Sequence, residues 1–298
     1  MIDIAHPHRA AVGESPLWCQ TTQSLWWVDI DGHTVQRLRG DTFQLWQLDE
    51  PVGCLALTDG GRLILGLKSG FTHFDPATGH LTPLAAVEPD RPGNRLNDGA
   101  TSRGGRFFAA TMAGPPDQPT AALHRLDGTR ATTLVTGLHV GNGLAFSPDD
   151  RRIYLSDSWA GVSTIWTFDH DPATGDISNR RTFRTLDPAH GRPDGGCVDA
   201  EGFYWIAAVG GGRLLRLHPD GSTEREIPLP VAFPSKMAFG GPDLRTLFVT
   251  SIDRETPSGD GGRLLRLTPG VTGLPQPTLP EPDLAGRPHT ATARLRHG

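Results

Sequence analysis

Short apolar runs alternate with turns along the chain, and the pattern repeats. "NGLAFSPDDRRIYLSD", from Asn142, is an apolar run, a Pro-Asp-Asp turn and a second apolar run, which predicts a β-hairpin. The plan recurs in "ESPLWCQTTQSLWWVDI", "GCLALTDGGRLILGL", "NDGATSRGGRFFAAT", "DGGCVDAEGFYWIAA" and "SKMAFGGPDLRTLFVTS". Third runs such as "TVQRL", "AALHRLDG" and "GRLLRLHPDG" follow, and "TTLVTG" and "REIPLP" supply fourth ones. The copies begin at Glu14, Gly53, Asn97, Asn142, Asp194 and Ser235, so their separations are 39, 44, 45, 52 and 41 residues. A four-stranded propeller blade takes roughly 40 to 50 residues. No amphipathic helical period and no linker interrupts the series. The expected fold is therefore all-β, a six-bladed β-propeller spanning residues 1–298 as one domain. The sixth copy lacks a fourth strand and "MIDIAHP" has no partner of its own, so the N-terminal strand is expected to close the last blade.

Composition supports a turn-rich globular chain: 37 Gly, 26 Pro, 37% hydrophobic and 20% charged residues. The net charge of −5 comes without long single-sign runs, which excludes the basic stripe that nucleic acid or an anionic membrane requires. A small-molecule partner is expected, with the protein a monomer or weak homo-oligomer. Cys19, Cys54 and Cys197 are odd in number and widely spaced, arguing for buried thiols rather than disulfides or structural zinc. The opening "MIDIAHPHRA" lacks the pattern of a signal peptide, so a cytoplasmic location is expected.

The six copy starts occupy one equivalent place, the mouth of each innermost strand beside the central channel. The column reads Glu, Gly, Asn, Asn, Asp, Ser. Each polar residue alone is an ordinary turn cap, but oxygen donors converging from several blades suit a hard divalent cation. Glu14 and Asp194 bring two negative charges and Asn142 a neutral carbonyl oxygen, a set that takes calcium, magnesium or manganese and accepts zinc.

The motifs "GESPLW", "RLNDG" with "GRFFAATM", "GNGLAFSPD", "PDGGCVDAEGFYWIA" and "FGGPDLRTLFVTS" resemble, in order and spacing, the regucalcin (senescence marker protein) and gluconolactonase family of six-bladed propellers. The resemblance implies that Glu14, Asn142 and Asp194 are metal ligands and that Arg95 and Asn97 contact bound substrate. It implies a lactonase: metal-assisted hydrolysis of a sugar lactone, with Asp194 as the candidate general base. Within the family the chain looks closest to bacterial sugar lactonases, on "GRPDGGCVDAEGFYW" and "RLTPGVTGLPQP". One departure concerns the glutamate that regucalcin itself places shortly after its "GTM"-like strand to touch substrate. Here the sequence reads "ATMAGPPDQPT", with no acid until Asp117.

Arg95 and Asn97 are expected to hydrogen-bond a polar, uncharged lactone. Other motifs carry less: "GGGR" at Gly210 opens no helix and reads as a turn, His6 and His8 lie in the closing strand, and no G-x-S-x-G elbow occurs. The seven tryptophans read as inter-blade packing, with Trp18 and Trp159 the two candidates for the pocket. Two alternatives remain: a non-catalytic calcium- or ligand-binding regulatory propeller, and a paraoxonase-like esterase or organophosphate hydrolase.

Overall fold

The computed structural model describes residues 1–253 and 259–297. These form six antiparallel sheets with the connectivity of a six-bladed β-propeller. The innermost strands are Gly13–Cys19, Val52–Leu57, Arg95–Thr101, Gly141–Phe146, Arg192–Val198 and Pro234–Gly240, and neighbouring ones touch around a ring. Each begins with its copy's column residue at the second or third position. The sole helical element described is a single 3₁₀ turn, Pro188–His190, so none is long and apolar enough to cross a membrane.

Alternation along the strands sends apolar side chains to both faces of each blade, and the blades bury them against one another. The core is accordingly six clusters, one per blade interface. Trp26, Trp46 and Phe74 fill the space between the first two blades, and Trp18, Trp27 and Phe43 meet Phe248 and Leu264 where the last blade joins the first. Trp205 packs with Phe239 between the fifth and sixth. Trp18 is thus core, stacked on Phe248 at 5.9 Å. Trp166 is only partly buried, with the Arg180 guanidinium 3.8 Å from its ring centre.

The N-terminal strand Ile2–Arg9 pairs antiparallel with Arg263–Leu267 and completes the sixth blade, as the missing fourth strand required. His6 also stacks on Phe43 of the first blade at 4.3 Å, joining the two ends of the ring. The C-terminal segment was not anticipated. Past Leu267 it crosses the face opposite the column residues, bridging Gly273 to Asp199 and Leu279 to Thr58. It then adds Ala291–Thr292 to the second blade and Arg294–His297 to the first as fifth strands. Glu281 anchors it, accepting from Thr58 and lying 3.1 Å from His73 Nε2. Such a strap carries neither blade length nor blade period, so the repeat hides it.

Deleting residues 1–8 removes most of the ladder pairing of the last blade's edge. At about 1 kcal/mol per hydrogen bond and ~2–4 °C per kcal/mol in a chain of this size, the melting temperature should fall by roughly 10 °C. A truncated protein that melts with the full chain would disprove closure by this strand.

Candidate metal and active site

All six innermost strands lose their regular register at the column. The shifts fall between Glu14 and Leu17, Val52 and Cys54, Leu96 and Asp98, Asn142 and Ala145, Pro193 and Gly196, and Pro234 and Met237. A bulge releases residues from the ladder and re-aims their side chains: Gly53, Asn97, Asp194 and Ser235 lie at released positions, whereas Glu14 and Asn142 keep Val28 and Ser156 as partners and stand at the edge of the irregularity. The sequence permits it with residues that accept a left-handed backbone. Gly143, after Asn142, has φ 67°, and a Cβ there would stand 2.7 Å from both Ser156 Oγ and Tyr204 Oη.

Glu14 and Asp194 are buried, each less than a tenth exposed. Burial, then the nearby Asp194 and Asp98 carboxylates, push the Glu14 carboxyl well above the usual range, and Lys236 pulls partly back. Burial and Asp98 push Asp194 up to about 8, opposed by Arg192, Lys236 and Arg95. Asn142 is held from two sides. Its Oδ1 accepts from Asn97 Nδ2 at 2.9 Å, and its Nδ2 donates to Ser158 Oγ at 2.7 Å, whose hydroxyl donates in turn to the Pro193 carbonyl beside Asp194. Asn97 Nδ2 also donates to Gly141 O at 3.1 Å, and Asn97 Oδ1 accepts from Arg95 Nη1 at 2.6 Å. A chain of polar contacts therefore runs Arg95–Asn97–Asn142–Ser158–Pro193 across three blades.

The donor set suits a hard cation. Two buried carboxylates whose charged forms are disfavoured are relieved by a cation placed between them. An amide oxygen has two lone pairs, so Asn142 Oδ1 keeps one beyond the contact from Asn97. Among the described residues no three His, Cys, Asp or Glu side chains cluster as a metal site, which leaves the Glu–Asn–Asp set with only two charged donors. Of the other three column positions, Asn97 holds Asn142, and Gly53 and Ser235 do not contribute. Gly53 packs against the third blade, where a Cβ would come within 2.2 Å of Leu96 O. Ser235 is fully buried and its hydroxyl donates to Gly13 O, linking the last blade to the first.

The sequence missed what lies beneath. Lys236, next to Ser235, is buried in the channel, with its ammonium donating to Asp98 Oδ1 and, at 2.8 Å, to Gly99 O. Burial works against this ammonium, but Asp98 and Glu14 outweigh it and hold it above its ordinary value. Asp98 Oδ1 also takes Gly99 N–H at 2.9 Å and Oδ2 takes Leu144 N–H at 2.8 Å. Both its oxygens are engaged, so it is a channel strut rather than a spare base. In the sequence Lys236 stands only as a lone lysine in the apolar run "SKMAFG", with nothing to mark its partner. On the other side of Lys236 an axial cavity of about 80 Å³ reaches Leu274, Gln276 and Pro277 of the strap.

At the mouth, half-buried Trp159 stacks with His139, ring centres 5.7 Å apart. Arg192, which the sequence reading passed over, is half-buried and donates to Ser158 O at 3.3 Å. Asp117 is exposed in the loop after Met112. Ser15, buried with φ 51°, accepts from Leu55 N–H and serves the backbone, not a substrate. Cys19 and Cys54 are buried, but Cys197 is only half-buried, and all three thiols are free.

Residues 12–253 match the SGL family, described as the SMP-30/Gluconolactonase/LRE-like region. The chain belongs to this family. Similar curated proteins include a 6-deoxy-6-sulfogluconolactonase of Pseudomonas putida, 40% identical over 84% of this chain and 86% of that one. Regucalcin of Danio rerio is 35% identical over 89% and 93% of the two chains. L-arabinolactonase of Azospirillum brasilense is 36% identical over 82% and 81%. Among solved structures, a calcium-binding regucalcin from Agrobacterium tumefaciens superposes with a TM-score of 0.86 at 25% identity, covering 93% of this chain and 97% of that one.

The buried ion pair yields a prediction. Lys236→Met conserves volume but strands the Asp98 carboxylate in the channel, a loss of about 3–5 kcal/mol. The double variant Lys236→Met/Asp98→Asn should recover part of it. Chemical denaturation of the three proteins checks this, and equal midpoints for wild type and Lys236→Met would show that the pair is not formed.

Proposed function

We propose that the protein is a sugar lactonase that works with one divalent metal ion held by Glu14, Asn142 and Asp194. The observation that carries this reading is the pair of buried, charge-strained carboxylates at the heads of two innermost strands, beside amides already fixed by hydrogen bonds. The lactonase names of relatives over most of the chain support the substrate class. A purely scaffolding propeller has no use for two such carboxylates, since burying them costs stability.

When bound, the cation supplies Lewis acidity, polarising the lactone carbonyl and lowering the pKa of a water beside it. Asp194 accepts the proton of the attacking water as it adds to the carbonyl carbon. The ring C–O bond then breaks, and the proton passes to the departing ring oxygen. Arg95 donates to the lactone, and the remaining lone pair of Asn97 Oδ1 accepts from a sugar hydroxyl. Because Asn97 Nδ2 holds Asn142, Asn97 also orients a metal ligand. Arg95 in turn fixes Asn97. The ring thus arrives preorganised, so little binding energy is spent on arranging it.

Exhaustive chelation should abolish hydrolysis of aldonolactones, and calcium, magnesium, manganese or zinc should restore it to differing degrees. Full turnover in a sample shown metal-free by elemental analysis would rule the metal out.

Two variants separate the roles. Asp194→Asn keeps an oxygen donor but loses the base, so turnover should fall about 10²-fold or more while weakened metal binding persists. Asn97→Ala releases Asn142, so metal affinity should drop about 10-fold along with a raised Michaelis constant. Calorimetric titration of metal beside lactone kinetics reads both effects. Wild-type turnover in Asp194→Asn would send the search for the base elsewhere.

A further inference from the structure

Six charged groups act on one another around the mouth. Glu14, Asp98 and Asp194 supply three negative groups, and Lys236, Arg95 and Arg192 three positive ones, each within electrostatic reach of Glu14 or Asp194. Asp98 and Lys236 neutralise one another within the channel. That leaves two carboxylates for the cation and two guanidinium groups on the wall, Arg95 from the third blade and Arg192 from the fifth. Counted over these six groups, a divalent ion leaves a net charge of +2. An uncharged lactone does nothing to offset it, and in a half-buried site such an excess is costly.

The two arginines differ. Arg95 is committed to the ring, donating to Asn97 Oδ1 and the Leu96 carbonyl and lying against Met112 Sδ. Among the described residues the Arg192 side chain makes one hydrogen bond, the long one to Ser158 O, and no carboxylate forms an ion pair with it. A guanidinium presents five donors in a fork that matches a planar or tetrahedral oxyanion. Trp159, beside Ser158 on the same rim, offers a half-buried ring against which the C–H face of a sugar can lie.

We propose that the lactone this site takes bears a second, anionic group, a carboxylate or sulfonate at the end of the carbon chain away from the reacting carbonyl, and that Arg192 receives it. This rests on the lactonase reading of the same site and replaces the expectation of an uncharged substrate. It makes Arg192 a specificity-determining residue. The cation draws the lactone carbonyl and Arg192 draws the far end, so the ring is fixed at two points rather than one.

The test compares an uncharged aldonolactone with a lactone of the same ring size carrying a terminal sulfonate or carboxylate, using the metal-loaded protein and its Arg192→Gln and Arg192→Lys variants. A charge-assisted contact of about 1.5–3 kcal/mol corresponds to roughly 10- to 100-fold. Wild type should prefer the anionic lactone in kcat/KM by about 10-fold or more, mainly through KM. Arg192→Gln should collapse that ratio toward one, and Arg192→Lys should keep part of it. Calorimetry with the stable ring-opened acids, a plain aldonate against its terminal sulfonate, should give the same order in Kd. Equal treatment of both compounds by wild type overturns the proposal, and so does an Arg192→Gln variant that weakens both by the same factor. If neither lactone is hydrolysed the lactonase reading falls, and the ratio of Kd values still decides the role of Arg192.

Discussion

Six strands must bring their ends to a common axis, and the space there is too small for six full side chains. Most of what is distinctive near the channel follows from that crowding. Gly53 is present because the next blade's Leu96 carbonyl lies where its Cβ would be, and Ser235 is small enough to turn aside and bond to Gly13 O. The larger polar residues stand at or beside irregularities, where each innermost strand departs from the regular ladder: Asn97 and Asp194 within them, Glu14 and Asn142 at their edge. Polar groups so crowded must satisfy one another, and the Arg95–Asn97–Asn142–Ser158 chain is how they do so.

Crowding also fixes the electrostatics. Carboxylates forced into a channel with little water cannot remain as isolated anions, and the structure answers this in two ways. Deeper in, Asp98 is neutralised by Lys236 and by two backbone N–H groups. Nearer the mouth, burial first and neighbouring carboxylates second push Glu14 and Asp194 toward their protonated forms, with Lys236 opposing in both cases. Satisfied below and unsatisfied above, the same kind of group acts as a strut in one place and as a candidate ligand in the other.

Most of the fold was legible because a blade is a local unit: its strands, turns and apolar faces lie within one stretch of about 45 residues, where period and turn chemistry show directly. The closing strand was legible by subtraction, as a blade with a strand too few and an end with a strand too many. The C-terminal strap was not, since its pairings to Thr42–Gln47 and His80–Ala86 join segments far apart in sequence. At the site, Glu14, Asn142 and Asp194 could be picked by their register. Lys236 could not, because its meaning depends on an Asp98 that lies 138 residues away. Arg192 was overlooked for a similar reason: a single arginine before a proline reads as a surface residue until the blade beside it is seen to contribute Ser158 and Trp159.

These differences in legibility separate two kinds of control over chemistry. Glu14, Asn97, Asn142 and Asp194 are placed by the heads of four innermost strands, and changing Asn97 or Asn142 breaks hydrogen bonds that join neighbouring blades. Such a ring can hold a cation and activate a carbonyl, but it is poorly placed to distinguish one sugar from another. Discrimination falls to side chains that are only half buried and make few internal contacts, which can be exchanged without loosening the propeller. Trp159 and Arg192 are of that kind, attached to the rim by one ring contact and one long hydrogen bond. Under the proposed function, a floor fixed by the fold and a wall with few internal contacts would let one propeller keep its reaction while changing the substituent it reads.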